Sequence, residues 1–357
     1  MPAKYLLLAS ALKKQILQKS GTGVYKLPSK NELCRQYGYS RQTVRQALHL
    51  LENEGLIEKR QGSGSFATGL ASGSNEIAIV VSEEEEYIYP SLISDIKSSL
   101  GHKGYSVRLY SHHGRLAFER RILEELLRSS IRGMIVEGCR TALPNPNLDL
   151  YECLKEQNVC ILFLHGSYQA YPENISVRSD DYYGGYLLGK HFLQNNHTDI
   201  AGIFQIDDIR GLERYRGLSA VLRDFTTELP DERILWYTQT ELTALEQKSD
   251  TMFLTAFLHR QLKDCSAVIC QNDEIAYWLI KELRYAGLQV PADLSVASFD
   301  NSYLSEICPV RLTTLSHKNH EMGTAAAGCL LQMIQGIPVS SLELPWRLVT
   351  RESDAPR

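Results

Sequence analysis

Apolar positions recur with two different periods along this chain, and the change of period divides it. In the first part they return every three or four residues. Leu8, Leu12 and Ile16 make a stripe on a helix predicted over Lys4 to Lys19, ended by Gly21 and Gly23. A second helix begins at Ser29, which stands three before Glu32 at capping-box spacing, and Gly38 closes it. A third opens at Ser40, whose hydroxyl can accept a first-turn N–H. Val44, Ala47, Leu48 and Leu51 then form one apolar face, with Gln42, Arg45, Gln46 and His49 opposite, Arg41 on the flank and Gly55 as the stop. Leu56 to Glu58 and Ser65 to Ala67 enclose Gln61-Gly62-Ser63-Gly64 and read as a β-hairpin. Three short helices and a hairpin predict a winged helix-turn-helix over residues 1–68.

A linker of small residues is expected at 69–75. Short, continuously apolar runs then alternate with amphipathic ones. Strands are predicted at Ile77 to Val81, Tyr105 to Tyr110, Gly133 to Val136, Val159 to Leu164, Ile200 to Phe204, Ala267 to Cys270 and Leu294 to Phe299. The intervening helices are predicted at Pro90 to Leu100, Ala117 to Arg128, Leu148 to Glu156, Tyr183 to Gln194, Arg214 to Phe225 and Asp273 to Ala286. That alternation predicts α/β architecture with parallel sheets and helices on both faces. Residues 76–357 amount to about two flavodoxin-like units, so two similar lobes are expected.

Charge sharpens this division. Residues 1–70 hold 11 Lys and Arg against 4 Asp and Glu, leaving 27 against 38 in the rest. A basic head on an acidic body suits a polyanionic partner for the head alone. With 43% hydrophobic and 22% charged residues the 357-residue chain can bury a sizeable core. No apolar run is long enough to span a membrane and no apolar leader opens the chain. The eight cysteines form no C-x-x-C pair and lie mostly in apolar runs, as free thiols do in a reducing compartment, so a cytoplasmic protein is expected.

The polar start of the third helix is suited to the major groove, where Arg41, Gln42, Thr43 and Arg45 can reach base edges or phosphates. Lys4, Lys30, Asn31 and Ser40 are expected at the DNA backbone, and the hairpin tip Gln61-Gly62 in the minor groove. In the body, ligands bind beyond the C-terminal ends of parallel strands. Tyr87, Tyr89, Glu137 and His165 follow strands of the first half, and Asn272, Asp273 and Asp300 follow strands of the second. This mixture of donors, acceptors and aromatic faces suits a polyhydroxylated ligand, although each residue alone also reads as a cap or turn. Enzymatic constellations do not assemble: His112-His113 is wrongly spaced for a shared metal, and neither a G-x-S-x-G elbow nor a P-loop is present. The carboxylates of Asp180-Asp181 and Asp207-Asp208 invite a glycosidase reading, which the basic head disfavours.

A family resemblance rests on further residues. Lys4-Tyr5, Leu27-Pro28-Ser29, Asn31-Glu32-Leu33, Ser40 to Leu48, Glu54 to Ile57 and Gln61 to Phe66 resemble the GntR-family head along its length. Asp180-Asp181 with Gly184-Gly185, Arg214 to Ala220, Asn272 to Ala276, Val290 to Asp293, Phe299 to Asn301, Leu312 to Thr314 and Leu348 to Ser353 resemble the LacI/GalR effector domain, which is related to periplasmic sugar-binding proteins. The combination looks like the arabinose-responsive repressors, as do Tyr87 to Pro90, Ile135 to Glu137, Gly202 to Phe204 and Asp207-Asp208 with Gly211. The resemblance implies a two-lobed periplasmic-binding-protein-like body, lobe 1 at about 76–178 and 314–338, lobe 2 at about 179–313 and 339–357. It implies Arg214, Asp181, Asn272 and Asp300 on the sugar from lobe 2, and Tyr87, Tyr89, Glu137 and His165 from lobe 1. His317, after the crossover, would either face the ligand or serve the hinge. It further implies a homodimer on double-stranded operator DNA, L-arabinose or a related pentose as effector, and no metal or other cofactor. A transcriptional repressor released from its operator by the sugar is expected, with action of the sugar as a corepressor as the alternative. The chain departs from its relatives at Lys30, where the head family usually has Glu, at Asn196-His197, and at Tyr182.

Overall fold

The computed structural model describes residues 4–18, 25–53, 56–60, 63–67, 75–168, 170–171 and 174–357. Lys19, Gly21, Gly23, Gly55, the expected hairpin tip Gln61-Gly62, Thr68 and residues 69–74 of the expected linker lie outside that set. In the head, α1 (Lys4–Gln18), α2 (Lys30–Tyr37) and α3 (Arg41–Asn53) close over Leu8, Leu12, Leu33, Val44, Leu48 and Leu51, all buried. Side-chain caps set where the helices start. Ser29 Oγ accepts the Glu32 N–H at 3.3 Å while the Glu32 carboxylate accepts the Ser29 N–H at 2.7 Å, and Ser40 Oγ accepts the Thr43 N–H at 3.2 Å. β1 (Tyr25–Lys26), β2 (Ile57–Arg60) and β3 (Gly64–Ala67) pair antiparallel in the order β1-β3-β2, and Ile57 and Ala67 join the same core.

The body opens with β4 (Glu76–Val81), α4 (Tyr89–Gly101), β5 (Ser106–Ser111), α5 (Leu116–Leu127), β6 (Gly133–Glu137), α6 (Leu148–Glu156), β7 (Cys160–Leu164) and β8 (Ile175–Ser179). Next come α7 (Asp181–Gln194), β9 (Ile200–Gln205), α8 (Ile209–Asp224), β10 (Ile234–Tyr237), α9 (Gln239–Lys248) and α10 (Met252–Arg260). The chain continues through β11 (Ala267–Cys270), α11 (Asp273–Tyr285), β12 (Ser295–Phe299), α12 (Tyr303–Ile307) and β13 (Thr313–Ser316). It ends with α13 (Glu321–Ile334), β14 (Leu342–Leu344) and β15 (Arg347–Val349). One six-stranded sheet, β14-β8-β7-β6-β4-β5, is parallel throughout. The other, β10-β9-β11-β12-β13-β15, is parallel except for its last, antiparallel edge. The inner strands are apolar on both faces because helices cover both, α4 and α13 against α5 and α6 in the first lobe. In the second lobe α7 and α8 lie opposite α10 and α11.

The expected lobe breaks at 314 and 338 are corrected by the pairing. β13 belongs to the second sheet through its partner β12, whereas α13 and β14 belong to the first, and the chain crosses back at Pro345-Trp346. Sheet membership is decided by long-range register, which a local apolar pattern does not carry. Two helices also start earlier than expected. Asp180 caps α7 by accepting the Tyr183 N–H at 2.9 Å, and Asp208 caps α8 by accepting the Arg210 N–H at 3.0 Å, so that α8 begins at Ile209, five residues before Arg214. These two helices meet through glycine. A Cβ on Gly185 would stand 2.0 Å from the Arg214 carbonyl oxygen, and one on Gly217 would stand 1.9 Å from that of Tyr182. Only glycine allows this approach, which sets Arg214 beside Asp181.

Candidate functional site

Two polar concavities carry candidate chemistry, one on the head and one between the lobes. The head groove is walled by Lys26, Lys30 and Asn31 on one side, Arg41, Gln42 and Arg45 of α3 on another, and Ser63 to Ser65 at the hairpin. Among the described residues no ion pair engages Lys30, Arg41 or Arg45, and all three are exposed. Lys30 sits in the first turn of α2, where a cation opposes the helix dipole. Of the other expected contacts, Thr43 is half-buried and its hydroxyl lies 3.0 Å from that of Ser40, whose oxygen also caps α3. Lys4 is exposed at the start of α1 but does not line the groove.

The body cleft encloses about 430 Å³ at the C-terminal ends of both sheets. Six expected residues line it together: Tyr87, Tyr89 and Glu137 from the first lobe, Arg214, Asn272 and Asp300 from the second. Glu137 ends β6 and accepts from the Ser82 N–H at 3.0 Å, the Ser82 hydroxyl at 2.8 Å and the Tyr89 hydroxyl at 3.1 Å. Burial alone would raise its carboxyl, but Arg210, His165 and the Ser82 N–H hold it below the usual range. The Tyr87 hydroxyl donates to Asp300 Oδ2 at 2.6 Å, a direct bond between lobes. Tyr87 (φ +59°), His165 (φ +61°) and Asp300 (φ +94°) occupy left-handed backbone conformations costly for non-glycine residues. Strain of this kind persists where a site's geometry demands it.

Arg214 is the most confined group. Its Nε donates to Asp181 at 2.8 Å, its Nη1 donates to the Gln271 carbonyl, its Nη2 lies 3.7 Å from Asp300, and its guanidinium stands 4.0 Å from the Phe299 ring centroid. Burial lifts the Asp181 carboxyl to about 6 despite Arg214. Asp181 therefore stands behind Arg214 and positions it, and it does not line the cleft. His165 is likewise outside the lining, yet it is buried close to Arg210 and Glu137, and burial, then Arg210, lower its imidazole to about 4. Among the described residues His165 Nε2 and Oε1 of the cleft-lining Gln271 are buried without a hydrogen-bond partner. His317 is at the crossover and not in the cleft, bonded to Ser179 and Pro345. Asn272 caps α11 through the Ile275 N–H at 3.0 Å and still lines the cavity.

Arg210 is the main residue that sequence reasoning missed. From the first turn of α8 it donates to Asp208 at 2.7 Å and reaches across to Glu137 at 3.2 Å, a second bond between lobes. Beside it Thr141 Oγ1 accepts the Ile209 N–H at 3.1 Å. The Asp207-Asp208 pair marked the place, but Asp208 acts as helix cap and arginine partner. Five further glutamates, Glu83, Glu85, Glu86, Glu246 and Glu274, also line the cavity, and burial raises the carboxyls of Glu246 and Glu274 to about 8 and about 7. Among the described residues no cluster of His, Cys, Asp and Glu could hold a metal ion, and no helix is long and apolar enough to cross a membrane.

Comparison with known proteins follows the same division. Residues 4–66 match the family described as bacterial regulatory proteins, gntR family, and residues 190–353 match the periplasmic binding protein-like domain. An arabinose metabolism transcriptional repressor of Halalkalibacterium halodurans is 33% identical over 94% of this chain and 90% of its own. That of Geobacillus stearothermophilus is 33% identical over 93% and 91%. A LacI family transcriptional regulator from Enterococcus faecium, solved with bound ribose, is 25% identical and superposes on 79% of this chain and 99% of its own with a TM-score of 0.65.

Proposed function

This chain belongs to the family of bacterial transcriptional repressors of sugar metabolism that join a GntR-type head to a periplasmic-binding-protein-like body, and from that premise we propose that a pentose bound between the lobes releases it from operator DNA. It is a DNA-binding regulator and not an enzyme. In this reading α3 enters the major groove. Arg41, Gln42 and Arg45 reach base edges or phosphates, while Lys26, Lys30 and Asn31 hold the flanking backbone. Two bodies associate in the cytoplasm and present two heads to a near-palindromic operator.

The observation that carries the effector half is the joining of the lobes through the cleft's own polar groups, Arg210 to Glu137 and Tyr87 to Asp300. A sugar hydroxyl that engages these groups acts on both lobes at once, so its binding free energy depends on how the lobes are disposed. A ligand shifts an equilibrium only by such a difference between states. Coupling of about 1–3 kcal/mol, roughly five- to 150-fold in operator affinity, is the usual range. L-arabinose is the proposed effector, because the two relatives at 33% identity are arabinose metabolism repressors and the superposed structure holds ribose, another pentose.

A thermal-shift screen of pentoses and hexoses, followed by gel shifts on a duplex selected by the protein, tests this. L-arabinose should raise the melting temperature and weaken the DNA complex. A hexose hit with no pentose response would replace the effector, and tighter DNA binding with L-arabinose would make it a corepressor.

A further inference from the structure

The chain passes between the lobes three times: after β8 at Ser179-Asp180, after β13 at His317, and between β14 and β15 at Pro345-Trp346. One side chain touches all three. His317 Nδ1 lies 3.1 Å from the Pro345 carbonyl oxygen, which can only accept, so Nδ1 carries the proton. Nε2 is then the acceptor for the Ser179 hydroxyl at 2.8 Å. Both ring nitrogens are used in the neutral tautomer, and burial favours that neutral form. The ring also stacks on Trp346, with centroids 3.9 Å apart and planes inclined by 24°.

Trp346 continues the contact towards the cleft. It is buried and packs edge-on against Phe299, with ring centroids 5.7 Å apart, while the Arg214 guanidinium lies 4.0 Å from Phe299 and 5.7 Å from Trp346. Gly184 seats this pair, since a Cβ there would stand 2.6 Å from the Trp346 ring and 2.8 Å from that of Phe299. A continuous line of packed rings therefore runs from a guanidinium that lines the cleft to a residue that binds all three crossovers.

We propose that His317 is a hinge clasp: a positioning residue that ties the three crossovers into one unit and converts events at Arg214 into rotation of the lobes. Without it each connection can bend by itself, and closure around a sugar is absorbed locally. The inference rests on the cleft being the effector site. Its signature separates binding from response, because His317 lies outside the cavity lining.

The test uses the full chain, L-arabinose as probe and an operator duplex selected by the wild-type protein. His317→Ala should bind L-arabinose within about threefold of wild type by calorimetry, while the ratio of operator affinities without and with sugar falls by about tenfold. His317→Phe, which keeps the stack without the bonds, should recover part of that ratio. An unchanged ratio overturns the clasp, and so does a parallel loss of sugar affinity and ratio. If His317→Ala does not fold, Ser179→Ala removes one bond and is judged by the same criterion. Hydrogen exchange without sugar separates the clasp from the effector reading. The Asp180 amide, bonded to the Leu344 carbonyl at 3.0 Å, should exchange about tenfold faster in His317→Ala, with amides of β6 and β11 unchanged. Equal protection overturns the clasp. A wild-type protein that ignores L-arabinose, with the exchange difference present, overturns the effector assignment alone.

Discussion

The two sites treat their cations in opposite ways. In the head, Lys30, Arg41 and Arg45 are exposed and, among the described residues, in no ion pair. In the cleft, Arg210 lies between Asp208 and Glu137, and Arg214 between Asp181 and Asp300. Unpaired surface cations gain from a polyanion by releasing its condensed counterions, and they cost the fold little when removed. A guanidinium already neutralised by two carboxylates has little net charge left to attract an anion, and serves instead as a fixed array of N–H donors for neutral hydroxyls. On the proposed reading, pairing, more than the number of arginines, separates a surface for nucleic acid from a pocket for a polyol.

That contrast can be broken most sharply at Arg214. Arg214→Ala strands the buried Asp181 carboxylate and should cost about 3–5 kcal/mol in a denaturant titration, together with sugar binding. A variant of wild-type stability would show that the cleft arginines are as dispensable to the fold as those of the head. The cleft should also respond to acid where the groove does not. Burial, then Arg210, hold His165 neutral down to about 4, below the ordinary value near 6.5, so the unfolded chain takes up the proton first as pH falls. This contribution is complete above about pH 6.5 and is lost towards pH 4. His165→Asn should therefore lose about 2–3 kcal/mol less than wild type between pH 7 and 4.5; parallel stability curves for the two proteins would contradict it.

Arg45→Ala should weaken operator binding roughly ten- to 100-fold, as loss of a base contact of 1–3 kcal/mol does, without change in melting temperature or sugar affinity. Unchanged gel-shift affinity would remove α3 from the interface. The smallest effect is expected at Lys30. Lys30→Glu should flatten the dependence of log affinity on log salt by about one to two, since one phosphate contact becomes a repulsion. Identical salt slopes would make Lys30 a bystander.

The head was legible because its determinants are local. Ser29 with Glu32 and Ser40 with Thr43 are three residues apart, and Val44, Ala47, Leu48 and Leu51 mark the buried face of α3 by periodicity alone. The body was legible where hydrophobic runs were continuous, and its strand-end residues Tyr87, Tyr89, Glu137, Asn272 and Asp300 do meet in one cavity. Short edge strands such as β10, β14 and β15 carry too few residues for a pattern, and they form because a neighbouring edge offers register. Arg210 was missed for a related reason, since its partner Glu137 is 73 residues away in sequence.

By itself, then, the sequence determined a winged basic head, an acidic α/β body, and the polar residues gathered at strand ends, because caps, periodicity and composition act over a few residues. Tertiary structure alone decided which lobe claims β13, β14 and β15, that Arg210 joins the lobes, that Asp181 stands behind Arg214, and that His317 lies at the crossovers and outside the cavity lining. Each of these depends on a partner brought from far along the chain, and only the pairing of the sheets brings it there.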